Sequence, residues 1–426
     1  MTSLRKVLLG GAALALAMHP LSALADTATP DMAEMWRVIQ AQQAEIDRLR
    51  GELVGTRAQA VETRETLETT VQHVEAVADA VETSSASGGD GWWNKTSLGG
   101  YGELHYEGGA KDQIDFHRFV LFVGHEFTDN IRFHSEIELE HAIAGNGKVG
   151  EFELEQAYLE MDVGKNAQVF GGVSLIPVGI INETHEPPTF YGVERNAVEK
   201  NIIPATWWEG GIGARGNIGN TGFSWDAMFS SGLNLNANNG YKIRSGRNKV
   251  GKAEFNSQAY SARLGYSGIL GISLAASIYY QPDVTQGVGD TITGGDVSAT
   301  LFTVSADTRF NGFGLRALYS HWNLDGADVN LTGRDKQSGF YLEPSYKFSL
   351  PMGDLLPDAQ FGVFYRYSDW DNNAGLNNQS GQHRNVFGAN FWPIEDIVFK
   401  IDYISESKES GGPTKNSVNL GLGYQF

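Results

Sequence analysis

Residues 418–426 read VNLGLGYQF, and every second one is apolar: Val418, Leu420, Leu422, Tyr424 and Phe426, with Asn419, Gly421, Gly423 and Gln425 between them. Side chains of a β-strand alternate between two faces, so this period of two predicts a strand with one greasy face and one small or polar face. A soluble domain gains little from a greasy strand at a fraying end. A barrel wall whose outer face meets lipid needs one.

The aromatic pair Tyr424 and Phe426 resembles the signal that bacterial outer-membrane barrels present to the barrel-assembly machinery. The opposite end fits the same destination. Arg5 and Lys6 precede an apolar run from Val7 to Met18, and Ala23-Leu24-Ala25 supplies small residues for cleavage, which reads as a secretory signal peptide over 1–25. That run falls short of the roughly 20 residues of a transmembrane helix, and no other stretch approaches that length. The chain has no cysteine, which removes disulfides, thiol chemistry and thiolate metal sites together. It is acidic, with a formal net charge of -19, which argues against nucleic acid as a partner. Its mean hydropathy of -0.27 is low for membrane helices but ordinary for strands that alternate lipid-facing and lumen-facing residues.

Between 26 and 83 the period changes to seven. Met32, Ile39, Ile46, Leu53, Ala60, Leu67, Val74 and Val81 occupy heptad a positions, with Met35, Leu49 and Val77 at d. This predicts an α-helical coiled coil, placed in the periplasm and reaching roughly 75 Å. Thr56, Thr63 and Thr70 at d, with Gly51 and Gly55, weaken the seam. An amphipathic helix lying on the barrel or membrane is the competing reading, and charges all round the wheel count against it. Residues 84–95 form a linker that opens SSASGGDG and carries Trp92-Trp93, an expected membrane-interface anchor.

From 96 to 426 the chain reads as all-β, a 16-stranded antiparallel transmembrane β-barrel. Seven short connections (125–130, 164–167, 217–222, 267–271, 311–312, 351–357 and 392–396) alternate with eight longer ones (108–112, 142–150, 177–205, 234–250, 282–295, 324–336, 370–382 and 406–414). Short turns at one rim and long loops at the other are the bacterial outer-membrane arrangement. Both ends of the barrel then lie on the short-turn, periplasmic side. A soluble sandwich of this many strands would leave sheet edges and a large apolar face uncovered, whereas a closed barrel of sixteen encloses an aqueous channel.

The interior offers two constellations. The longest loop reads PVGIINETHEPPTFYGVERNAVEKNIIPA (177–205) and is expected to fold inward as a constriction, with Asn182, Glu183, His185, Glu186, Glu194, Arg195, Glu199 and Lys200 as its polar candidates; a loop capping the rim is the alternative. His185 with Glu183 and Glu186 is one imidazole among flexible carboxylates, so no metal and no cofactor is predicted. Arg118, Arg132, Arg215, Arg263, Arg309, Arg316 and Arg366 fall on the predicted inward face of different strands. Guanidinium groups suit oxyanions, so they are candidate pore-lining residues; equally, they could pair with Glu103, Glu136, Glu138, Glu160, Asp162, Glu209 and Asp307 to stabilise a polar lumen. No nucleophile elbow or phosphate-cradling loop appears, and His105, His117, His125 and His134 read as lumen or rim polarity, so no enzyme is expected.

Gly171-Gly172-Val173, Ile176-Pro177-Val178-Gly179, Ile202-Ile203-Pro204 and Trp208-Glu209-Gly210-Gly211, with the heptads and the aromatic ending, are similar to the phosphate-selective porin O/P family. That resemblance implies a homotrimer of water-filled barrels in outer-membrane lipid, with an arginine ladder and a lysine cluster at the constriction. The seven arginines are the ladder candidates. Lys200 is the only lysine in the long loop, while Lys242, Lys249 and Lys252 surround a different one. The expected function is passive diffusion of small hydrophilic solutes, anions such as phosphate among them. A cation-preferring or general porin, or a barrel that anchors a periplasmic coiled-coil tether, are the alternatives.

Overall fold

In the computed structural model the described residues are 32–33, 36–37, 39–51, 53, 91–109, 112–376 and 379–426. Alternation is converted into sixteen strands: β1 (Thr96–Glu107), β2 (Gln113–Thr128), β3 (Ile131–Glu140), β4 (Phe152–Asp162), β5 (Ala167–Leu175), β6 (Trp208–Asn217), β7 (Phe223–Ser230), β8 (Ala259–Ile269), β9 (Ile272–Gln281), β10 (Ser298–Phe310), β11 (Phe313–Asp325), β12 (Lys336–Ser349), β13 (Gln360–Asp371), β14 (Gln382–Ile394), β15 (Ile397–Lys408) and β16 (Lys415–Gln425). Each pairs with its chain neighbours, and β1 pairs antiparallel with β16, closing the barrel.

The connections follow the expected alternation, with three short turns tightened and the fourth long loop lengthened from 234–250 to 231–258. β2 runs on to Thr128, β8 to Ile269 and β14 to Ile394, because register shifts after Glu126, Tyr266 and Phe391 keep the ladders paired beyond the last apolar repeat. Asn311 and Gly312 have φ of 50° and 84°, the pair of left-handed residues that a two-residue hairpin matching strand twist requires.

One face of the wall is apolar and exposed, carrying Ile212, Leu264, Ile278, Phe302, Leu342, Phe387, Ile401 and Leu420. Such a band is a liability in water and the proper surface in lipid. The other face is mostly polar, with one exception. Tyr279, Leu301, Leu318, Trp322 and Tyr341 point inward from β9 to β12 and are buried with Trp207, Ile202, Ile203, Leu233 and Leu235 from the loops. Trp207 stands 4.8 Å from Tyr279 and 6.1 Å from Trp322, centroid to centroid. The interior is therefore part apolar core, where a polar lumen was expected: apolar residues in the long loops can be buried only against apolar wall positions.

Residues 39–51 are helical, with an Arg48–Glu45 pair at 2.6 Å on the i,i+3 spacing. Ile39, Ile46 and Leu53 of the heptad seam are exposed. The signal peptide expected over 1–25, the seam beyond 53 and linker residues 84–90 lie outside the described residues. Trp92–Lys95 form a 3-10 turn leading into β1, with both tryptophans exposed.

Candidate channel lumen

The segment between β5 and β6 lies inside the barrel, and its bonds reach inward-facing groups on opposite walls. The Ile202 carbonyl accepts from Trp322 Nε1 on β11 at 2.9 Å, the Tyr191 carbonyl from Arg366 Nη2 on β13 at 2.5 Å, and the Pro177 carbonyl from Ser277 Oγ on β9 at 2.9 Å. Val193 N–H donates to Asp402 Oδ2 on β15 at 2.7 Å. On the other side His185 Nε2 meets Glu136 of β3 at 3.1 Å and Glu155 of β4 at 3.5 Å. A loop capping the rim would make none of these.

Most of its polar residues hold the segment in shape. Asn182 ties the loop's two ends, its Nδ2 donating to the Ile176 and Trp207 carbonyls at 2.8 and 3.1 Å and its Oδ1 accepting from Trp207 N–H at 2.6 Å. Glu199 is a hub: Oε1 accepts from Ile180 and Ile181 N–H at 2.5 and 2.8 Å, and Oε2 from Asn196 Nδ2 and Tyr341 OH at 2.8 and 2.9 Å. Glu183 pairs with Arg263 on β8, so it is not grouped with His185. Arg195 Nη1 donates to Thr206 Oγ1 at 2.7 Å. Glu194 bridges His105 at 3.1 Å and Lys200 at 3.6 Å. Glu186 is half-buried, and its backbone carbonyl accepts from Thr189.

All seven arginines lie on the inward register, and each carries a carboxylate: Arg118 with Glu103 at 2.5 Å, Arg132 with Asp162 at 2.7 Å, Arg215 with Glu160, Arg263 with Glu183, Arg309 and Arg316 with Asp307 at 3.4 and 2.8 Å, and Arg366 with Glu343 at 2.5 Å. Arg384, an inward arginine of β14 that the sequence reading passed over, pairs with Glu406 and stands over Trp370. These arginines are thus electrostatically compensated, whereas Lys400 of β15 and Lys347 of β12 face inward over Phe190 and Trp392 with no salt bridge among the described residues.

A cluster of further uncompensated cations sits at the long-loop end. A cavity of about 360 Å³ on the long-loop side is lined by Lys242, Arg244 and Arg334, with Asp371 as its one carboxylate. Among the described residues none of these three cations forms a salt bridge. Arg244 Nη1 donates instead to the Ala205 carbonyl at 2.7 Å, and Arg247 donates to the Thr206 carbonyl, so this second loop clamps the inner one. Burial, and then the neighbouring Arg247 charge, push Arg244 down to about 10, which leaves it protonated at neutral pH. A larger cavity of about 640 Å³ opens on the short-turn side, where Arg309, Arg316 and Lys347 face Asp307, Glu343 and Glu395. The run of basic residues from Lys242 to Lys252 was the sequence signal for the long-loop group; Arg334 gave none.

Residues 100–426 match the family model described as phosphate-selective porin O and P. An uncharacterized protein of Aquifex aeolicus is 30% identical over 341 residues, 73% of this chain and 75% of its own length. Among solved structures the barrel is similar to an anion-selective porin from Comamonas acidovorans (TM-score 0.52, 12% identity, 78% of this chain and 99% of that one). It is also similar to OmpF of Salmonella typhi, solved with daunomycin (TM-score 0.53, 13% identity, 78% of this chain and 97% of that one). At such identities these two share the fold.

Proposed function

The chain belongs to the phosphate-selective porin O and P family and is an outer-membrane channel for small solutes; from that premise we propose that it favours small anions, phosphate among them. The observation that carries the reading is the cavity where Lys242, Arg244 and Arg334 face a single carboxylate, Asp371. In a chain of net charge -19 this is a local positive field, and a low-dielectric cavity focuses such a field on entering ions. Below it the more accessible wall arginines, Arg132, Arg215, Arg263 and Arg309, have their charges balanced by carboxylates, so an anion passes between sites of similar affinity without a deep trap. The segment from Pro177 to Ala205 is the constriction.

Reversal potentials across a planar bilayer, in gradients of potassium chloride and potassium phosphate, test the reading. Anion preference in the parent is expected; cation preference would discard it and favour the reading of an acidic, cation-preferring pore.

The barrel is further proposed to be exported by its signal peptide, inserted by the barrel-assembly machinery through Tyr424 and Phe426, and assembled as a homotrimer. The exposed seam residues Ile39, Ile46 and Leu53 support a periplasmic coiled coil between copies, and with it a second role as a tether.

A further inference from the structure

Simple alternation along β2 would turn His117 away from Arg118's side of the wall. The register prevents this: Glu103 faces Arg118 while Leu104 faces Phe116, so His117 is the extra residue of a β-bulge, and a bulge re-aims its side chain. The His117 ring stacks on His105, 4.7 Å between centroids, and meets His141 edge-on at 5.7 Å. His141 follows the last residue of β3, and its N–H donates to the His117 carbonyl at 3.1 Å, which holds the two residues together through the backbone. Asp115 completes the group: its Oδ2 lies 2.7 Å from His141 Nδ1 and 3.3 Å from His117 Nδ1.

We propose that Asp115, His117 and His141 bind a divalent transition-metal cation at the long-loop rim of the barrel. Two imidazoles and a carboxylate are a donor set that zinc and its neighbours accept. Donors about 2.0–2.1 Å from a tetrahedral zinc stand roughly 3.3 Å from one another, and one ligand atom from each of the three residues already lies within 4.8 Å of the others. Hydrogen bonding alone brings two imidazole nitrogens onto a single carboxylate oxygen; a cation would replace the protons shared there. The three side chains are 22%, 23% and 33% exposed, so an ion reaches them from the rim without unfolding. By contrast His185, Glu136 and Glu155 are fully buried and serve as an internal tie. The site is independent of which solute the channel passes.

The test is calorimetric titration of zinc chloride into the folded full-length protein in detergent, after chelator treatment. Saturable binding is expected, weakened about tenfold or more by His117→Ala and by His141→Ala. His383→Ala, which removes an imidazole paired with Asp369 at 2.7 Å on other strands, is expected to leave binding unchanged. Heat-dependent gel mobility verifies each barrel, and Asp115→Asn, of unchanged shape, gives the same reading should an alanine variant fail to close. Absence of saturable binding, binding that the site variants do not weaken, or equal weakening by His383→Ala would overturn the proposal.

Discussion

Gly100 and Phe426 exchange two backbone hydrogen bonds, Gly100 N–H to the Phe426 carbonyl at 3.0 Å and Phe426 N–H to the Gly100 carbonyl at 2.9 Å. They extend the β1–β16 ladder that closes the barrel. A Cβ at Gly100 would stand 2.2 Å from the Val120 carbonyl oxygen and 3.0 Å from the Phe426 ring, so the approach needs a glycine.

Deleting Phe426 is expected to lower the yield of membrane-inserted barrel far more than the thermal stability of barrel already inserted. Burial of one such ring contributes at most roughly 1.5–3 kcal/mol, and this one stays 64% exposed, whereas an assembly signal acts before insertion. Quantifying the heat-modifiable species in outer membranes checks this; equal yields of variant and parent contradict it. Gly100→Val, which clashes at the seam itself, is expected to lower both yield and stability.

Glu199→Ala removes the acceptor for four donors at once. Each buried donor left unsatisfied costs about 1–3 kcal/mol, and the donors belong to the inner segment and to Tyr341. The expected result is a noisier channel of altered conductance in single-channel recordings, with the wall's melting temperature little changed. Unaltered conductance would deny the segment its role as the constriction.

Lys242→Gln and Arg334→Gln are each expected to lower the anion-to-cation permeability ratio, and the difference from the parent should shrink as salt rises from about 0.1 M to 1 M, where the Debye length falls from about 10 Å to 3 Å. Arg132→Gln, which breaks a compensated pair with Asp162 and Glu160, is expected to shift selectivity towards cations by leaving Asp162 uncovered and Glu160 with Arg215 alone. Reversal potentials at two salt concentrations read all three variants.

Removing residues 26–90 is expected to leave conductance intact, because the described bonds of the lumen all lie within the barrel. The isolated peptide 31–83 is expected to be largely unfolded or weakly associated at micromolar concentration, since threonines at d positions make a poor seam and only tethering at the barrels raises its effective concentration. Circular dichroism and sedimentation check it; a stable dimer would break the proposed three-fold match.

The barrel was legible because each strand must alternate to separate lipid from lumen, and residues such as Leu420 and Ile401 announce their face by type alone. The arginines' register was legible for the same reason, but their carboxylates were only partly so. Glu160 and Asp307 were named beforehand, whereas Arg366 meets Glu343 and Arg263 meets Glu183, partners set by strand order and loop path. The histidine group was illegible because a bulge overrides alternation at His117, and because His141 sits beyond the end of its strand. Glu155 repeats the lesson on β4: the register steps from Gln156 to Leu154, and the skipped carboxylate turns to His185. Loop interiors such as 177–205 have no period to read, so the apolar packing of Trp207 on Tyr279 and Trp322 had no signature.

The inner segment lies between β5 and β6, yet it is bonded to β11, β13 and β15 across sequence separations of 120, 175 and 209 residues. Its full set of bonds does not exist until those strands have arrived, so the aperture cannot be set before the far wall is in place. The width of the channel is thus a property of the closed ring and not of the loop that narrows it.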